Sequence, residues 1–311
     1  MKKTTKVILA ISLALIVVGG GLSVMAVALS GGDIGVLWSP EGGLTHSPAA
    51  ASGKYQEDTV AVGAFSAVDV TTSYGDVEFQ PSADGWRVEY KLPATLSAPE
   101  IAVKDGTLYI ENDASMNGVT LFGIPLFQGD LLSRTYFRIY YPEGAELSAL
   151  TIDNRMGEIE VRDLTVTGAV DLNADMGSVT LDAVTAGDVT LSVAMGEVKA
   201  TSLTADYLTA DANMGGVDVS GTLAGLDISA DMGEVDLSGC LTGQMTVDCA
   251  MGSVKVDLEL TRAEVYLELD TGMGDTKVNG KAYDASDGGN EDGSNVLTVN
   301  CAMGEIDITC K

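Results

Sequence analysis

From residue 149 to the C-terminus, apolar and polar positions alternate with a period of two, and the alternation restarts at a repeated Met-Gly dipeptide. The dipeptide stands at Met156-Gly157, Met176-Gly177, Met195-Gly196, Met214-Gly215, Met232-Gly233, Met251-Gly252, Met273-Gly274 and Met303-Gly304, with spacings of 20, 19, 19, 18, 19, 22 and 30 residues. Four residues before each Met the side chain is apolar: Ile152, Leu172, Leu191, Ala210, Ile228, Val247, Leu269, Val299. Three before, it is always polar: Asp153, Asn173, Ser192, Asp211, Ser229, Asp248, Asp270, Asn300. Two before, it is mostly small, as in Ala174, Ala212, Cys249 and Cys301. Period two places successive side chains on opposite faces of an extended strand, so this arm predicts a strand with one face in and one face out. A shorter alternating arm follows each dipeptide, from Ile159 and Val161 to Ile306 and Ile308. The intervening Gly can take a positive φ without a Cβ clash, which predicts a corner between the two arms.

A unit of about 19 residues with one long and one short strand cannot bury its inner face alone, so copies must stack. The predicted fold is all-β: a single-stranded parallel β-solenoid of about 19 residues per rung, with an N-terminal antiparallel hairpin insertion, preceded by one transmembrane helix. Continuing the alternation to the corner turns the Met column inward, as an internal ladder among Val, Leu and Ala. A thioether or cofactor box is the competing reading of that column. An earlier copy of the pattern runs Val68-x-Val70-x-Thr72-x-Tyr74-Gly75-x-Val77-x-Phe79, with Tyr74 in place of Met. Between it and Met156 lie aromatic-rich alternating segments at Trp86–Tyr90, Leu108–Ile110 and Tyr136–Tyr141, which predict antiparallel hairpins covering the open end of the stack. Asn117–Leu132 reads as an apolar loop, either cap core or a patch for a partner.

The first residues change the picture of where this solenoid sits. Lys2, Lys3 and Lys6 precede an uncharged stretch, Val7 to Leu29, long enough to cross a bilayer as a helix. The lysines orient it with the N-terminus cytoplasmic and everything beyond extracytoplasmic, a single-pass protein of the cell membrane. Ala26-Val27-Ala28 also fits a signal-peptidase site, and cleavage after Ala28 would secrete the chain. The expected organisation is 1–29 membrane anchor or signal sequence, 30–54 flexible linker, 55–150 first rung plus hairpin cap, and 151–311 solenoid repeats. The one histidine, His46, falls in the linker, where a solvated side chain is expected. The whole chain of 311 residues carries a formal charge of −28; beyond residue 29, 14 basic side chains face 45 acidic ones, a balance of −31. Nucleic acid and anionic lipid headgroups are therefore poor partners.

Candidate chemistry is sparse. Cys240, Cys249, Cys301 and Cys310 permit disulfides in an exported chain, but Cys249 and Cys301 share one inward column two rungs apart in chain order. Strand spacing would hold them about 9–10 Å apart, beyond bridging distance. Buried free thiols are expected, with 240 to 249 and 301 to 310 as the open alternatives. The acidic ladder led by Asp153 and Asp211, with Asp175, Asn213 and Asp231 beside it, could screen Ca²⁺ weakly, but it lacks the Gly-Gly-x-Gly-x-Asp spacing of calcium β-rolls and reads first as a solvated face. Asp284–Asn295 is a further acidic loop without the EF-hand spacing. There is no Gly-x-Ser-x-Gly, phosphate loop or His-Glu-x-x-His, and no carboxylate pair is singled out for glycoside cleavage. No catalytic residue, cofactor ligand or metal ligand is assigned, and the chain is read as non-enzymatic.

The Met/Tyr-Gly-x-Val rungs from Ser73 to Cys310 behind a single membrane segment resemble the bacterial putative-adhesin family with β-strand repeats, domain of unknown function 4097. That resemblance spans about 65–311. It implies a β-solenoid, often membrane-associated, with no catalytic residues to carry over, and a wider class that also occurs near envelope-stress sensing systems. The expected function is a membrane-anchored, non-catalytic adhesion or binding surface for an envelope or extracellular protein or glycan. Two alternatives stand beside it: the regulatory ectodomain of an envelope-stress response, and a polysaccharide-active β-helix enzyme.

Overall fold

The computed structural model describes residues 36–39, 43–46, 55–94, 96–112, 120–121, 124–125, 135–284 and 293–311. The chain divides into two compact units, one of Met1–Tyr55, Pro93–Thr95 and Met116–Leu131, the other of Gln56–Leu92, Leu96–Ser115 and Leu132–Lys311. In the first unit the described strands form two short antiparallel pairs, Val36–Ser39 with Gly43–His46 and Thr120–Leu121 with Ile124–Pro125. The expected membrane segment 7–29 and the cleavage position after Ala28 lie outside the described residues. So do most of the apolar loop 117–132 and residues 285–292 of the acidic loop. Among the described residues no helix is long and apolar enough to cross a membrane.

The second unit is a stack of β-rungs whose strands form a 16-stranded and an 11-stranded sheet. Each rung is named here by its corner glycine. In the Gly233 rung the long arm Leu226–Met232 runs into the corner and the return arm Val235–Leu241 leaves it. Long arms pair with long arms, parallel and in register, as Leu226, Ile228 and Ala230 do with Met245, Val247 and Cys249 of the Gly252 rung. Return arms do the same, Val235 against Val254 and Leu237 against Val256. The inward side chains of both arms, such as Ile228, Ala230, Val235 and Leu237, are buried in one aliphatic core. Stacking thus supplies the burial that a single rung lacks.

The corner needs glycine for two reasons. Gly233 has φ +158°, and a Cβ there would lie 1.9 Å from the carbonyl oxygen of Gly215 in the neighbouring rung. The rungs are also tied backbone to backbone at this point, Gly233 N–H donating to Met251 O at 3.0 Å. A second corner, seven residues beyond Met in the Gly157 to Gly233 rungs, escaped the sequence pattern. Asp163, Ala183 and Ser202 sit there at φ between 51° and 54°, and the next two rungs use Gly221 and Gly239. After it the first rungs add a short third side, Thr165–Val166 and Thr185–Ala186.

Three expectations are corrected. The corner methionines point outward: Met176 is 36% exposed, Met214 45% and Met273 65%. The ladder passes from the position two before Met directly to Met, as from Asn154↔Ala174 to Met156↔Met176, and across that step the strict alternation of inward and outward side chains is lost. The aromatic segments are only partly antiparallel. Thr107–Asn112 and Tyr136–Tyr141 pair parallel with Ala67–Thr72 and Asp76–Pro81 and make a further rung; Glu100–Lys104 and Arg87–Pro93 then cover that rung antiparallel.

The third correction is the rung order. The Gly304 rung, last in the chain, inserts between the Gly252 and Gly274 rungs. Hydrophobic burial gives the reason. Leu297, Val299, Cys301, Ile306 and Ile308 are buried in that slot, whereas Leu269, Thr271 and Val278 of the Gly274 rung remain half-buried at the end of the stack. The more apolar rung takes the covered place. Cys249 and Cys301 are therefore register partners on adjacent strands, one strand spacing of about 4.8 Å apart rather than two.

Candidate functional site: the outer faces of the stack

The outward positions of the long arms build the first face. Three residues before each Met the ladder runs Asp153, Asn173, Ser192, Asp211, Ser229, Asp248, Asn300, Asp270 in spatial order. Two positions earlier it is flanked by Thr151, Asp171, Thr190, Thr209, Asp227, Thr246, Thr298 and Glu268. Neither column holds a basic residue. Amides and hydroxyls bridge some of the carboxylates, Asn300 Nδ2 donating to Asp248 Oδ1 at 2.7 Å and Asn173 Nδ2 to Asp153 Oδ1 at 3.3 Å. The result is a flat polar surface, acidic along its length, because in-register stacking repeats each rung's outward residues at the strand spacing.

The return arms carry a compensated face instead. Lys199 lies 3.7 Å from Asp218 on the next rung, and Lys255 lies 3.5 Å from Asp236 and 3.0 Å from Asp257. Hydrogen bonding to Asp257 and the nearby Asp236 raise the Lys255 pKa. At the N-terminal end of this sheet, Arg138 bonds Glu78 at 2.9 Å and lies 4.1 Å from the centre of the Tyr136 ring, while Arg87 lies 3.8 Å from the Tyr140 ring and 3.2 Å from Glu89. The basic side chains at this end are committed to internal pairs. Where the second corner carries glycine, a shallow depression of about 270 Å³ opens, lined by Ser202, Ser220, Gly221, Ser238, Cys240 and Glu259 among others.

Two further features come from burial. Asn154, fully buried in the column two before Met, donates from Nδ2 to Gly75 O at 2.9 Å, and its Oδ1 accepts from Thr72 Oγ1 at 3.1 Å. It fastens the Gly75 corner to the Gly157 rung; an amide in a column that is mostly small and apolar was its only sequence signal. All four cysteines are free thiols, Cys249, Cys301 and Cys310 buried and Cys240 half-buried. Burial, reinforced by the neighbouring Cys301, pushes the Cys249 thiol up to about 11. A thiol held protonated in this way is a poor nucleophile and metal ligand. Among the described residues no three His, Cys, Asp or Glu side chains are grouped to hold a metal ion.

The model of the Toastrack DUF4097 family matches residues 65–309. Among solved structures, the chain is similar to a putative adhesin from Bacteroides fragilis NCTC 9343, with a TM-score of 0.50 and 16% identity, covering 84% of this chain and 98% of that one. Lower TM-scores relate it to a putative lipid binding protein from Parabacteroides distasonis ATCC 8503 (0.39; 12% identity; 84% of this chain, 98% of that one). A putative cell adhesion protein from Clostridium sporogenes ATCC 15579 also aligns (0.26; 17% identity; 83% and 100%). At these identities the likeness is one of fold. No curated protein sequence matches the chain.

Proposed function

The chain belongs to the Toastrack DUF4097 family, and from that premise we propose that it is a membrane-anchored, extracytoplasmic, non-catalytic binding protein whose long-arm face adheres to a protein or glycan partner. The observation that carries the reading is the contrast between the two faces. The return-arm face pairs part of its charge across rungs, whereas on the long-arm face the two columns from Asp153 to Asp270 and from Thr151 to Glu268 hold no basic side chain, Arg155 in the column next to Met being the one cation of the stacked long arms between Met156 and Met273. A flat, repetitive surface suits adhesion, where many weak contacts add along a line, better than the enclosed, converging groups that catalysis needs. Its sign favours a partner presenting basic groups. The putative adhesin from Bacteroides fragilis, similar in fold, agrees with a binding role. Lys2, Lys3 and Lys6 before the uncharged stretch to Leu29 support the orientation.

Two measurements on intact cells test this. Added protease should remove the portion beyond about residue 55 and leave a short membrane fragment; a fully protected solenoid contradicts the topology. A photocrosslinker at position 211, on the acidic face, should give a discrete adduct that weakens with added salt, while one at position 180, on the return arm, should give none. Equal adducts from both positions contradict the assignment of the face.

A further inference from the structure

The corner between the two faces carries a feature that adhesion does not use. Eight of the twelve methionines stand there. In spatial order they run Met156, Met176, Met195, Met214, Met232, Met251, Met303, Met273, each the register partner of the next. Met156 is half-buried and the other seven are 36–65% exposed. Core filling does not account for them. The buried core is built mainly from Val, Leu, Ile and Ala, and among the described residues Met245 is the one methionine within it. Nor does covering the corner, since any apolar side chain would do that, yet this column repeats the thioether in eight successive rungs. Outward from the corner, Glu158, Glu197, Glu234 and Glu305 follow the glycines as exposed carboxylates, which makes the approach attractive to cations.

Register fixes the spacing. Successive methionine Cα atoms lie one strand spacing apart, about 4.8 Å. Taking the zinc–thiolate bond of about 2.3 Å as a guide to metal–sulfur lengths, an ion held linearly between two sulfurs spans about 4.6 Å. Thioethers are neutral, soft ligands that select copper(I)-like ions over Zn²⁺, Ca²⁺ or Mg²⁺. We propose that the corner methionines form a linear thioether array that binds soft monovalent d10 cations, copper(I) or silver(I), each held between sulfurs of neighbouring rungs. The ion binds in the oxidation state in which it arrives, displacing water, and no electron or proton is transferred. The thiols do not build this array: Cys249 and Cys301 lie in the buried column beneath it.

The test uses the full-length chain in detergent with its methionine methyls labelled with ¹³C. Silver nitrate should shift the methyl signals of the corner methionines and leave that of Met245 in place; calcium chloride and zinc chloride should shift neither. Two four-site variants then separate bridging from simple affinity for sulfur. Met156→Leu, Met176→Leu, Met195→Leu and Met214→Leu together leave four adjacent sulfurs, and bound silver should fall about twofold. Met176→Leu, Met214→Leu, Met251→Leu and Met273→Leu together leave four sulfurs about 9–10 Å apart, and uptake by the array should be lost. The four thiols are common to every form and cancel in the comparison. Equal uptake by the two variants overturns the bridging geometry, and unshifted corner signals in the unaltered protein overturn the site even if a variant fails to fold.

Discussion

At the scale of single residues, the Met-Gly corner divides its roles sharply. Gly233 is fixed by the backbone, since a Cβ would meet Gly215 O at 1.9 Å and φ is +158°. Gly233→Val should therefore be strongly destabilising, the backbone strain and the overpacking costing about 1–3 kcal/mol each. Met232, 43% exposed, should tolerate Ala with a loss below about 1.5 kcal/mol, short of the 2–5 kcal/mol of a fully buried methionine. Glu234→Ala, on the solvent side, should stay within about 0.5 kcal/mol. Denaturant midpoints of the three variants check this ranking, and a Met232→Ala loss as large as that of Gly233→Val would contradict it. Cys249 supplies a pH signature. Its thiol pKa is raised in the folded state by burial and then by Cys301, to about 11, so the protonated form stabilises the fold. That contribution is complete below the ordinary thiol pKa and disappears as pH climbs from about 9 towards 11. Cys249→Ala should flatten the fall in Tm between pH 8 and pH 10.5; an unchanged slope would show that the thiol does not titrate with folding.

At the scale of elements, the strands and the first corner were legible because their signals are local. Ile228 with Ala230 and Val235 with Leu237 state the inward face of each arm without reference to any other rung. The outward turn of Met232 was not legible, because parity was carried through a residue that the ladder skips. The second corner was hidden by its variety, Asp163, Ala183 and Ser202 sharing a positive φ while Gly221 and Gly239 follow at the same distance from Met across a register shift, with no common chemistry. The rung order was illegible for a different reason. Gln244, Tyr266 and Val296 begin long arms of the same register, so either the Gly274 or the Gly304 rung could follow the Gly252 rung, and only their relative apolarity decides. An outward cysteine pair tests that decision. Asp248→Cys with Asn300→Cys should bridge under mild oxidation, since the native side chains already meet at 2.7 Å, whereas Asp248→Cys with Asp270→Cys, two spacings apart at about 9–10 Å, should not. The reverse outcome would mean that the rungs stack in chain order.

At the scale of the whole molecule, the repeat makes a surface by translation: whatever one rung shows outward, the stack shows as a line. The acidic line of the long arms was legible from Asp153, Asp211 and Asp248 in the sequence; that the return arms offset part of their charge required the pairing of Lys199 with Asp218 and of Lys255 with Asp236. The thioether line at the corner required the outward turn of every Met, and both the binding face and the metal array are placed relative to it. Oxidation of the native protein by dilute hydrogen peroxide, followed residue by residue by mass spectrometry, measures that turn directly. The seven exposed corner methionines should oxidise at rates near that of a free methionine, and Met245, 1% exposed, at least about tenfold more slowly. Corner rates as low as that of Met245 would put the ladder inside the stack and contradict the outward corner.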